Sequence, residues 1–238
     1  MSDGLITGPK PSEAIELVLA ENSPRQRIVA GLSWNQNDEK ASAGYVRTNI
    51  GNSIGVILRN PDMLGYFVKN PDMMSQKDDD DATRETDDPS FDLDLLCYGF
   101  DEDGHCKDYV TPNAYNAIDK SEKIYHSGDD MDGVGDLDDE QIHIELKDID
   151  DHYNHFFFVI ESDCMHHIEA IDEPHIRIAD AMNNENILNI RIDQLPKSNQ
   201  YALVVCQIFK KDDKWYLQNI SEFTEERQNW TEYLKKYL

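Results

Sequence analysis

The chain has 238 residues, of which 48 are acidic and 22 basic, giving a formal net charge of −26. Such a polyanion repels phosphate backbones and anionic lipid. This argues against nucleic acid as a direct partner, and any membrane association has to run through a partner or through bridging cations. No apolar run reaches the length of a membrane span. The start Met1-Ser2-Asp3-Gly4 has neither a basic and apolar leader pattern nor the Gly after Met that acylation needs, so a cytoplasmic location is expected.

The length suits one domain over residues 1–238, interrupted by an insertion. Two strand-like runs come first, Ile15 to Leu19 and Arg27 to Trp34, joined by a turn containing Pro24. Residues 36–89 read as the insertion. It contains an apolar segment from Ile50 to Val68, and Asn60-Pro61-Asp62-Met63 is echoed by Asn70-Pro71-Asp72-Met73. Its end, residues 76–89, carries Asp78-Asp79-Asp80-Asp81 without periodicity and reads as a solvated acidic linker. Strand patterns resume at Phe91 to Tyr98, Gln141 to Leu146, Phe156 to Ile160, His175 to Ile178, Ile187 to Ile192, Tyr201 to Phe209 and Trp215 to Leu217. Lys210-Lys211-Asp212-Asp213-Lys214 has the composition of a hairpin turn. A helix is expected over 224–238, capped by Thr224, with Phe223, Trp230, Tyr233, Leu234 and Tyr237 as an apolar stripe that docks on the sheets. Many short strands with almost no helical period predict an all-β fold, an antiparallel β-sandwich with an insertion and a C-terminal helix. The four cysteines form no C-x-x-C pair, and Cys97 and Cys206, inside apolar runs, read as buried thiols.

The chemistry concentrates in His126 to Glu140. Seven carboxylates fall within residues 129–140, with glycines at 128, 133 and 135. Two carboxylates about 5 Å apart at an effective dielectric near 20 repel by roughly 3 kcal/mol. A folded loop that gathers several needs a cation or must splay into water. Calcium takes six to eight oxygen ligands, and glycines permit the turns that aim carboxylates and carbonyls inward. A solvated acidic turn is the plainer alternative, but the strand pattern that follows at once keeps this loop from swelling away from its own charge. An EF-hand is excluded, because a strand follows, no helical period precedes, and Gly133 and Glu140 are out of register.

Four pieces in order resemble the TerD family of tellurium-resistance and stress proteins. They are Gly31-Leu32-Ser33-Trp34, then Phe91-Asp92-Leu93-Asp94, then the His-Ser-Gly-Asp loop over 126–140, then strands at 157–160 and 175–178. The resemblance covers about residues 12–220. It implies a calcium-binding β-sandwich whose acidic strand and long loop build the ion sites together. By position it implies Ca2+ ligands at Asp92, Asp94, Asp129, Asp130, Asp136, Asp138, Asp139 and Glu140, with backbone carbonyls near Gly133. Asp92 and Asp94 share one strand face by the period of two; taken alone they also fit a polar exterior. The loop departs from the family pattern at Asp130, Asp132, Val134 and Leu137. The first two departures add negative charge.

The expected function is therefore that of a non-catalytic stress-response module, ordered by calcium and presenting a surface to a protein partner. An enzyme alternative is a phosphoryl hydrolase that uses the cluster to hold magnesium or manganese, but the loop lacks nearby Lys and Arg for a phosphate. A third alternative makes the insertion the working surface. Zinc held by His152, His155, Cys164, His166 and His167 is a further, weaker reading, since adjacent histidines point apart in an extended chain. Cys164 beside His166 has no orienting third group for nucleophilic catalysis.

Overall fold

The computed structural model describes residues 6–35, 93–128, 138–162, 168, 171–195, 200–225 and 228–238. Among them are twelve strands: β1 (Ile6–Thr7), β2 (Ala14–Glu16), β3 (Arg27–Asn35), β4 (Leu93–Phe100), β5 (Cys106–Val110), β6 (Ile124–His126), β7 (Glu140–Glu145), β8 (His155–Ser162), β9 (Asp172–Asp180), β10 (Asn186–Arg191), β11 (Ala202–Lys211) and β12 (Lys214–Thr224). They form two six-stranded sheets, in the orders β1-β10-β9-β3-β7-β6 and β2-β12-β11-β8-β4-β5. The strand pairs are antiparallel. The expected antiparallel β-sandwich is the fold observed.

Alternation sorts the side chains. Ile28, Ala30, Leu32 and Trp34 of β3 join Leu93, Leu95 and Cys97 of β4 and Phe156, Phe158 and Ile160 of β8 in the core between the sheets. The second sheet is buried on its outer face as well. There Leu96, Phe100, Phe157, Val159, Ala202 and Val204 pack under Trp230 and Leu234. Burial on both faces explains why β4, β8 and β11 read as nearly unbroken apolar runs. In β11 the register shifts between Val204 and Cys206 against both neighbours. That bulge lets Val205 and Cys206 both contribute to the inner core.

The hairpin expected around Lys210–Lys214 is present, with Lys211 opposite Lys214. Asp212 and Asp213 both have positive φ, 49° and 60°, the signature of the two-residue turn that matches strand twist. The segment around Pro24 leads β2 of one sheet into β3 of the other, so these neighbours in sequence do not pair. The expectation of a helix over 224–238 is corrected. Thr224 is the last residue of β12, opposite Ala202, and its carbonyl accepts the Tyr201 N–H, so the sheet uses the residue expected to cap the helix. The helix proper, α1, spans only Trp230–Tyr233 and continues as a 3-10 turn over Leu234–Tyr237. Phe223 lies in β12 and packs on the inter-sheet core rather than along a helical stripe.

Leu234 is fully buried under the second sheet, whereas Tyr115 is 94% exposed. Leu234→Ala is expected to cost about 2–5 kcal/mol in chemical denaturation, and Tyr115→Ala to leave the midpoint unchanged.

Candidate functional site

β7 begins at Glu140, directly after the acid run. Ile142 and Ile144 point into the core, so alternation sends Glu140 inward and Gln141, His143 and Glu145 outward. Glu140 is completely buried, and its Oε2 accepts the Leu95 N–H of β4 at 2.6 Å. The acid run is thereby tied across the sandwich to the opposite sheet. His126, equally buried, faces the same oxygen through Nε2 at 3.4 Å. Its Nδ1 accepts the Gly128 N–H at 3.0 Å, and burial pushes its pKa down to about 3, so the ring is neutral with the proton on Nε2.

Asp139 lengthens the β3–β7 ladder. Its N–H donates to the Leu32 carbonyl at 2.8 Å, and its Oδ2 accepts the Trp34 N–H at 2.9 Å. Asp138 lies on the outer face of the first sheet. Its carboxylate accepts Arg177 Nε at 2.8 Å, Arg177 Nη2 at 2.6 Å and Gln141 Nε2 at 3.0 Å. A Cβ at Gly31, the residue opposite both Arg177 and Gln141, would overlap that carboxylate. The base of the loop is closed by two reciprocal bonds. Ser127 N–H donates to the Gln141 carbonyl at 2.7 Å, and Gln141 N–H to Ser127 Oγ at 2.8 Å.

Asp94 occupies the face of β4 turned away from the core, opposite Glu161 and next to the Leu95 N–H that Glu140 holds. Asp138, Asp139 and Glu140 therefore stand together at the start of β7 but diverge, to Arg177 of β9, Trp34 of β3 and Leu95 of β4, while Asp94 lies on the outer face of the opposite sheet. Asp92, Asp129, Asp130, Gly133 and Asp136 lie outside the described residues, as do the insertion at 36–89, Cys164, His166 and His167. The described acids offer hard carboxylate oxygens, a donor set suited to calcium or magnesium and not to zinc. His155 is bonded to Gln207 at 2.7 Å and His152 packs on Tyr153, so neither needs a metal. Among the described residues the side chains whose ligand atoms do come within 4.8 Å of one another are Asp101, Asp103 and His105, in a β4–β5 turn where Asp101 Oδ1 accepts two backbone N–H groups.

Four contributors act in ways that local sequence does not reveal: Gly31 as a gap, Arg177 as a counter-ion, His126 as a neutral neighbour and Ser127 as a clasp. Arg177 had a visible signal, a cation inside a strand pattern in a chain poor in cations. The outer face around it is a buried polar row. His143 Nε2 donates to Gln141 Oε1 at 3.1 Å, its ring stacks on Tyr125, and Tyr125 accepts Arg27 Nη1 at 2.9 Å.

The TerD domain model matches residues 74–228, more than half of the chain. The chain belongs to the TerD family. It is 27% identical to the tellurium resistance protein TerX of Serratia marcescens over 124 residues, 50% of this chain and 57% of that protein. With stress response protein SCP2 of Bacillus subtilis (strain 168) it shares 28% identity over 107 residues, 42% of this chain and 52% of that one. The chain thus spans just over half the length of these two relatives. A solved TerD homologue from Streptomyces coelicolor A3(2) superposes with a TM-score of 0.59 over 88% of this chain and 97% of that one, at 10% identity, which establishes shared fold alone. The match begins at residue 74, yet Gly31–Trp34, before it, supplies the strand on which Asp138 and Asp139 rest.

Gly31→Ala has to displace a buried carboxylate and is expected to destabilise the fold by about 1–3 kcal/mol in urea unfolding. His143 gives a pH test. Burial, reinforced by Arg27, His126 and Arg177, pushes its pKa down to about 3 from 6.5. The unfolded chain therefore takes up this proton first. Its contribution is fully present above about pH 6.5 and is lost as the pH falls from there towards 3. In His143→Phe the slope of stability against pH across that window should fall by up to one proton, about 1.4 kcal/mol per pH unit.

Proposed function

We propose that this TerD-family chain is a non-catalytic stress-response module whose acidic loop binds calcium and, once ordered, presents a surface to a protein partner. The observation that carries this reading is the closure of the loop. Ser127 and Gln141 clasp its base, and Asp138, Asp139 and Glu140 are fixed at buried positions. The end of the acid run is fixed, with Asp139 bonded to Trp34 of β3 and Glu140 to Leu95 of β4. A divalent cation offsets the repulsion among the run's carboxylates with the least rearrangement.

Asp139 and Glu140, with Asp92, Asp94, Asp129, Asp130, Asp136 and a carbonyl near Gly133 from the sequence, are the residues that would hold the ion. The ion supplies positive charge and oxygen coordination; the chain supplies the closed frame. The names of TerX and of SCP2 support the stress-response part, including resistance to tellurium compounds. Among the described residues no helix is long and apolar enough to cross a membrane.

Calorimetric titration of the chain with calcium chloride tests this reading. Saturable heat is expected, together with a rise in melting temperature corresponding to about 2.7 kcal/mol at a hundredfold excess over Kd. Neither heat nor a melting shift would overturn it. Hydrolysis of p-nitrophenyl phosphate with magnesium or manganese, abolished by Asp139→Asn, would overturn the non-catalytic part.

A further inference from the structure

We infer that Arg177 is the positioning residue of the acidic loop and that Asp138 is its internal anchor, not a calcium ligand. The inference rests on the calcium reading above and reassigns one of the carboxylates that the family resemblance implies as ligands. Three features lead to it. Both Asp138 oxygens accept from Arg177, Oδ1 from Nε and Oδ2 from Nη2, and Oδ2 also accepts from Gln141. This fork-to-fork pairing is the strongest and most directional geometry open to the two groups. The guanidinium is itself held from behind, where Nη1 donates to Asn184 at 2.7 Å on the β9–β10 connection and to Asn186 at 3.3 Å at the start of β10. A cation held on both sides cannot swing out to free its carboxylate. The opposing residue of β3 is Gly31, whose missing side chain makes the space in which the Asp138 carboxylate lies.

Asp138 has its oxygens turned towards the sheet, with 7% of its side chain exposed against 16% for Arg177. Its neighbours divide the labour. Asp139 Oδ2 and Glu140 Oε2 accept backbone N–H groups of Trp34 and Leu95, whereas Asp138 is committed to a charged fork. Arg177 therefore acts on the ion through Asp138, by setting where the loop re-enters β7.

The rival relation has the opposite sign. If Arg177 were a resident competitor that calcium displaces from Asp138, removing it would tighten calcium binding. Calcium titrations well below the melting temperature on the wild type, Arg177→Gln, Asp138→Asn and the double variant separate the two. Each single variant is expected to weaken calcium binding about tenfold, as loss of a supporting shell typically does. Stoichiometry should stay at the wild-type value, and the double variant should bind no more weakly than the singles. Tighter binding in Arg177→Gln, or loss of an ion from the stoichiometry in Asp138→Asn, would overturn the inference. Should Arg177→Gln fail to fold, Arg177→Lys keeps the charge and loses the fork, and the same two signs decide.

Melting in EGTA makes the test independent of the ion. Both single variants should lower the melting temperature and the double variant should lower it no further, because one pair is broken in each; additive losses would refute the anchor. A wild-type chain that binds no calcium would overturn the calcium reading and the affinity half of this inference. The anchor half would still be decided in EGTA.

Discussion

The start of β7 is where carboxylates are forced to be interior, and the rest of the site follows from how they are satisfied there. Burying an ionised carboxylate costs several kcal/mol unless donors replace its water. Glu140 is met by the Leu95 N–H, Asp139 by the Trp34 N–H and Asp138 by the Arg177 guanidinium. Each donor comes from a different strand. The three consecutive acids consequently sew β7 to β4, β3 and β9, and the acid run ends in a position the whole sandwich defines.

This arrangement gives the two sheets different outer faces. The second sheet is sealed by Trp230 and Leu234, which cover an apolar surface. The first carries a buried polar row, Arg177, Asp138, Gln141, His143, Tyr125 and Arg27, linked by hydrogen bonds and one ring stack. A polar network in a low dielectric is strong only while every member is satisfied. The row's tolerance for a neutral His143 and its intolerance of a protonated one follow first from burial and then from the charges of Arg27 and Arg177 nearby.

Much of the sandwich was legible because strand periodicity is local. β3, β4, β7, β8, β9, β10, β11 and β12 all announce themselves by apolar runs or alternation, and Asp212-Asp213 announces a turn. β1, β5 and β6 do not: the first and last are two and three residues long, and β5 exposes Lys107 and Tyr109-bearing surface at a sheet edge. The helix start was misplaced because Thr224 suits a cap and a strand end equally well, and only its pairing with Ala202 decides. In the site, the acids were visible as a cluster, but their partners were not. Arg177 lies 39 residues from Asp138, and Gly31 matters for the volume it leaves empty. Contacts of this kind are properties of sheet order, and no local pattern encodes that β9 and β7 flank β3.

The buried polar set also has a consequence for register. Replacing a buried ion pair by apolar residues is often neutral or stabilising, so Arg177 and Asp138 are poor candidates for raw stability. Their effect is on choice among alternatives. A slip of β7 by one residue would send Ile142 and Ile144 to the outer face and Gln141 and His143 into the core. It would also separate Glu140 from Leu95, Asp139 from Trp34 and Asp138 from Arg177, leaving three carboxylates without their donors. An apolar pattern alone penalises the slip through lost burial; the acids add an electrostatic penalty that points the same way. A strand whose register is set twice returns the end of the acid run to one position, which stability alone does not ensure.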